Sequence, residues 1–150
     1  MGLSRSVYYR LRQAALVLLL SACGQSTGAN LSVDSAWVRA MPPGSKMTAA
    51  YFSLHNNSGE EVRIISVSSP EFSSASLHES VIEDGVSRML EIPVLVLKPG
   101  ESVHLEPGGK HLMLMGSHSG DIPGECCTLH LEIEGREPLR FHAGIGDQPQ

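Results

Sequence analysis

From residue 31 onward the chain never holds a helical hydrophobic period with caps. Short runs of alternating apolar and polar residues are instead cut every few positions by turn-forming residues. Side chains that alternate faces suit half-buried strands, and breaks this frequent leave no room for long helices. The breaks are Pro42-Pro43-Gly44, Asn56-Asn57-Ser58-Gly59, Asp84-Gly85, Lys98-Pro99-Gly100, Pro107-Gly108-Gly109 and Pro123-Gly124. The runs between them predict ten strands, at 31–39, 48–55, 61–68, 74–82, 86–90, 94–97, 102–106, 110–115, 127–134 and 139–143. Many short strands at this spacing predict an all-β chain folded as an antiparallel sandwich or Greek-key barrel. A length of 150 residues supports one such domain. It is expected to span 31–145, with a short tail at 146–150.

The first 30 residues read differently. Arg5, Arg10 and Arg12 precede a seven-residue apolar run at 14–20, and no acid occurs before residue 23. Crossing a bilayer takes about 20 residues, so 1–22 is expected to be a signal peptide. Leu20-Ser21-Ala22-Cys23 resembles the bacterial lipobox, in which the Cys23 thiol would take the lipid. Ordinary cleavage near Ala22 beside a chance cysteine is the plainer alternative. Gly24 stands where an Asp would favour retention at an inner membrane, which leans the expectation toward an outer membrane. Residues 23–30 then form a polar, lipid-anchored linker. The domain would sit outside the cytoplasm, in the periplasm or at the cell surface.

Charge narrows the partners. Without the first 22 residues, 8 basic and 16 acidic residues remain, a net charge of −8. Nucleic acid is a poor partner for such a domain, because its phosphates need cations.

Methionine and histidine carry the chemical signal. Thioether sulfur and imidazole nitrogen suit a soft ion such as copper(I). Asp84-Gly85 is a two-residue hairpin signal of the I′ type. It sets Glu83 opposite Val86 and Ser80 opposite Met89. His78 then shares a face with Met89 as its diagonal neighbour, at an alpha-carbon separation of roughly 7–8 Å. A register slip of one residue would part them. His111 and Met113 lie two apart on one strand and face one way, while Leu112 and Leu114 face the other. Met115 continues the His/Met face as a spare candidate. Each residue alone also has a plain structural reading, Met as a core filler and His as a hydrogen-bonding residue.

Ten residues separate His78 from Met89, twenty-one separate Met89 from His111, and one separates His111 from Met113. This H-x10-M-x21-H-x-M pattern resembles that of the periplasmic copper chaperone family called PCu(A)C. Trp37-Val38-Arg39-Ala40, Pro42-Pro43-Gly44, Ala49-Ala50-Tyr51-Phe52, Leu77-His78-Glu79, Asp84-Gly85-Val86 and the run from Pro107 to Gly116 extend the resemblance. It implies a cupredoxin-like β-sandwich and a copper(I) site formed by His78, Met89, His111 and Met113. It also implies a chaperone that passes copper toward the binuclear site of cytochrome c oxidase subunit II, alongside a thioredoxin-like copper assembly protein. The chain departs from the pattern at Ser87, where many relatives have a further Met, and in the adjacent Cys126-Cys127 pair. Adjacent strand cysteines point to opposite faces, so a structural or incidental pair is expected there, with a second metal or redox site as the alternative.

Of the other histidines, His104 lies on a strand expected to pair with 110–115 and so to approach the site. His118 is expected in a solvated loop, and His130 and His142 at outward strand positions. Two further functions fit an all-β lipoprotein. A blue-copper electron carrier needs a Cys thiolate, two His and an axial Met, and Cys127-x-x-His130 is a partial match with no Met after it. A metal-free sandwich adaptor needs none of these residues. An enzyme is not expected: the sequence has no nucleophile elbow and no phosphate loop, and His78-Glu79 on a strand point apart.

Overall fold

The computed structural model describes residues 30–118 and 125–146. The expected signal peptide, Cys23, the expected linker before Asn30 and the residues beyond Gly146 lie outside the described residues. Ten strands follow one another: β1 (Leu31–Arg39), β2 (Met47–Asn56), β3 (Val62–Ser68), β4 (Phe72–Glu83), β5 (Val86–Glu91), β6 (Leu95–Leu97), β7 (Ser102–Leu105), β8 (Lys110–Ser117), β9 (Cys126–Ile133) and β10 (Leu139–Gly146). Each matches an expected run to within three residues at either end, because alternation and turn residues mark where a strand can begin and stop.

The strands form one continuous mixed sheet in the order β5-β4-β8-β2-β1-β10-β9-β3-β6, with β7 also pairing β2. β3 and β4 are far apart in that order yet joined by only residues 69–71. The sheet therefore curls on itself into a cupredoxin-like sandwich. One pairing departs from the antiparallel expectation: β1 and β10 run parallel, Trp37 opposite Gly144 and Arg39 opposite Gly146. The two ends of the domain thus meet side by side. A pairing between strands about a hundred residues apart has no local turn to announce it.

The core lies between the layers. Val38, Leu54, Leu97, Leu112, Leu114 and Leu129 are fully buried, and Phe52 meets Phe141 edge-on at 5.0 Å. Few aromatics leave the filling to aliphatic side chains. Burial at about 25 cal/mol per Å² of apolar area is the main force holding the layers together. On β8 the burial alternates as expected: Leu112 and Leu114 enter the core, while Met113 and Met115 stay half-buried on the opposite face.

Candidate metal centre

The β4–β5 hairpin has the geometry its turn demands. Asp84 and Gly85 both take positive φ, 52° and 78°, as an I′ turn requires. Glu83 consequently faces Val86, and Ser80 faces Met89. His78 faces Glu91, two pairs along, so His78 and Met89 are diagonal neighbours on one face.

β8 then brings the second pair alongside. In the β4–β8 register His78 faces His111 and Ser76 faces Met113. The two imidazole rings lie 6.0 Å apart and 19° from parallel. On the other face of the sheet, the neighbouring Lys110 Nζ donates to Glu79 Oε1 at 2.8 Å, a second tie at this register. The backbone N–H of Ser80 donates to the Gly109 carbonyl at 3.1 Å, joining the hairpin to the β7–β8 turn.

The ring nitrogens are not equivalent. His111 Nδ1 lies 3.1 Å from the Gly109 carbonyl oxygen. A carbonyl only accepts, so Nδ1 carries the proton and Nε2 keeps its lone pair. Such a second hydrogen bond orients an imidazole for a metal. His78 Nε2 lies 2.8 Å from Ser76 Oγ, while its Nδ1 is buried without a partner. When Nε2–H donates to Ser76, Nδ1 holds a lone pair with nothing to accept. A buried polar atom left this way is destabilising, which calls for a physical reason.

His111, Met89 and Met113 line one cleft of about 390 Å³, together with Met47, Tyr51, Arg39 and Pro42. His78 is not on the cleft wall; it stands beside His111. His111 is only 6% exposed, whereas Met89 is 50% exposed. His111 is thus the buried member of the cleft and Met89 an exposed one. Tyr51 forms a firm wall, with the Trp37 ring 4.6 Å away and the Arg39 guanidinium 5.5 Å from its centroid. Among the described residues no three His, Cys, Asp or Glu side chains converge as a metal site. Any ion held here would need sulfur from methionine, which selects soft metals over zinc or calcium.

The other candidates separate from this cleft. Met115 shares the face but lies opposite Met47 and Ser74, off the cleft wall. His104 does not approach, because β7 pairs with β2 rather than β8. Its Nδ1 bonds Ser53 Oγ at 2.8 Å, and its ring lies 6.3 Å from that of His55. His55 in turn reaches Asp34 at 3.0 Å and Ser102 at 2.6 Å. His118 and His142 are exposed and His130 is half-buried. Cys126 is exposed and Cys127 buried, both free, on opposite faces as expected of strand neighbours. Burial pushes the Cys127 thiol up to about 12, which makes it a poor thiolate ligand. Met47 was not among the sequence-derived candidates. Its signal lay in strand pairing, which single-strand spacing does not contain.

The model of the family described as "Putative lipoprotein LpqE-like" matches residues 31–145. A relative from Leifsonia xyli subsp. xyli, "Putative lipoprotein Lxx21020", is 36% identical over 114 residues, 69% of this chain and 68% of the relative. Among solved structures, the copper(I) form of DR1885 from Deinococcus radiodurans is 27% identical, with 76% of each chain covered and a TM-score of 0.60. The copper-bound PCuAC domain of PmoF2 shares the fold at a TM-score of 0.68 and 20% identity, over 82% of this chain and 97% of that domain. The resemblance to PCu(A)C drawn from the His/Met spacing is thus matched by the structural neighbours. The chain belongs to the LpqE-like lipoprotein family and has the cupredoxin-like fold of the PCuAC domains.

Proposed function

We propose that this chain is a copper chaperone that holds copper(I) through His78, Met89, His111 and Met113 and passes it to another protein. The observation that carries the reading is the state of the two imidazoles. His111 is tautomerically fixed with Nε2 free, and beside it His78 has a buried nitrogen that no protein group satisfies. Two thioethers on the same sheet face complete a soft donor set. The likeness to a copper(I)-bearing and a copper-bound domain supports the same ion.

Neutral thioethers and imidazoles hold copper(I) less tightly than thiolates do. Release can therefore go one ligand at a time to an acceptor's own donors. Met89, half of whose surface is open to solvent, is the first ligand an acceptor would displace. Holding and handing over is the chemistry this set supports, rather than Lewis-acid catalysis, which wants an open position and a general base.

The acceptor we propose is the copper centre of cytochrome c oxidase subunit II, reached directly or through a thioredoxin-like copper assembly protein. Lipidation at Cys23 would keep the domain at a membrane surface outside the cytoplasm, within reach of such an acceptor. Membership of a lipoprotein family supports that anchor.

Copper-edge X-ray absorption of the copper(I)-loaded protein tests the ligand set. The expected shell contains both nitrogen and sulfur, and loses sulfur in Met89→Ala and Met113→Ala. A shell without sulfur refutes the site. Mass spectrometry of the mature N-terminus tests the anchor, which an unacylated Cys23 would exclude.

A further inference from the structure

A third thioether lines the cleft that the spacing motif omits. Met47 opens β2 opposite Met115, two residues from Ala49, which faces Met113. Met47 and Met113 are therefore diagonal neighbours on one sheet face, the relation that joins His78 to Met89, with alpha carbons roughly 7–8 Å apart in a regular sheet. Both line the cleft with Met89 and His111.

Met47 is 53% exposed, close to Met89. A side chain this open gains little from burial, so core filling does not account for it. Its backbone is nevertheless firmly held. Met47 N–H donates to Ser45 Oγ at 3.2 Å, and Ser45 Oγ donates to the Met47 carbonyl at 2.9 Å. The adjacent Lys46 carbonyl accepts from Gly116 N–H at 2.7 Å. The flexible thioether arm thus swings from a fixed base.

We propose that Met47 is a further copper(I) ligand, placed at the open side of the cleft. The inference rests on the copper(I) reading above. Two exposed methionines, Met47 and Met89, then share the cleft with the buried His111 and the half-buried Met113. An acceptor can displace one of these two thioethers while the other keeps the ion from escaping to water. Loading would run the same way in reverse, with sulfur at the opening taking the ion before the imidazoles.

The test is methyl NMR of the protein labelled with carbon-13 at its methionine methyl groups, titrated anaerobically with copper(I). The Met47 signal is assigned from its loss in Met47→Leu. At one equivalent the Met47, Met89 and Met113 methyls are expected to shift together. Met47→Leu is expected to lower copper(I) affinity roughly tenfold without changing the thermal midpoint. Shifts at Met89 and Met113 with Met47 unmoved, or an unchanged affinity in Met47→Leu, overturn this inference and leave the four-residue site standing. A titration that moves none of the three methyls overturns that site as well.

Discussion

His78 on β4 and His111 on β8 are direct cross-strand partners, their rings 6.0 Å apart and nearly parallel. His111 spends one nitrogen on the Gly109 carbonyl, and His78 keeps a buried nitrogen unsatisfied. A group arranged for a ligand at the expense of the ligand-free fold should show opposite effects on stability and binding. His78→Leu is expected to stabilise the copper-free protein, by about 1 kcal/mol, since it removes an unpaired buried polar atom. The same change is expected to weaken copper(I) binding by roughly tenfold or more. Thermal melting and anaerobic competition titration read the two effects separately. A destabilised His78→Leu protein would mean that His78 is held for the fold.

The cysteine pair makes a prediction about alkali and acid. Cys127 is fully buried against Ser69 Oγ at 3.2 Å, and Ser69 donates to Glu71 Oε2 at 2.7 Å. Burial raises the thiol from 9.0 to about 12. Its stabilising contribution is complete below pH 9 and is lost as the pH climbs toward 12, because only the unfolded chain gives up the proton in that window. Burial alone would raise the Glu71 carboxyl, but hydrogen bonds from Ser69 and the Thr128 N–H outweigh it and the pKa is lowered. That contribution is present above the ordinary carboxylate range and is lost as the pH falls through it. Denaturation against pH in wild type and Cys127→Ala checks the alkaline limb, which should flatten in the variant. At neutral pH a maleimide should label exposed Cys126 and reach Cys127 only after unfolding.

What the sequence made legible was local. Alternation located ten strands, and Asp84-Gly85 set the hairpin register that puts Met89 opposite Ser80. Spacing of two along β8 put His111 and Met113 on one face. Non-local pairing was not legible: neither the parallel β1–β10 contact nor the β4–β8 contact has a turn between its strands. The His78–His111 adjacency and the place of Met47 both depend on such pairings. His104 was misplaced for a related reason. β7 leads through a tight turn into β8, yet β8 is already paired on both sides, by β2 and β4, and β7 instead pairs with Phe52–His55 of β2.

Gly116 marks where β8 leaves the His/Met face. Its φ is +70°, and an added Cβ would sit 2.8 Å from Ser73 Oγ and 2.9 Å from Ser73 Cβ. Gly116→Ala therefore meets both a backbone strain and a clash with a short side chain. A loss of about 1–3 kcal/mol is expected, measurable by urea denaturation. Ser73→Ala in the same chain relieves the contact with Oγ but not the strain or the Cβ contact, so it should restore only part of that loss.

Gly85 allows the site to be separated from the fold. It sits at φ +78° with open space around a would-be Cβ, so a substitution there strains the turn without striking a neighbour. A β-branched residue resists this conformation most. Gly85→Val should therefore disturb the I′ turn and with it the register of β5. All six residues of β5 are exposed on an outer strand of the sheet, so little core packing depends on that register. Met89 does depend on it, since one step moves its side chain to the opposite face. Gly85→Val is expected to shift the thermal midpoint only slightly while lowering copper(I) affinity about as much as Met89→Ala. Equal affinity in Gly85→Val and wild type, with Met89→Ala impaired, would show that Met89 reaches the ion without the hairpin register.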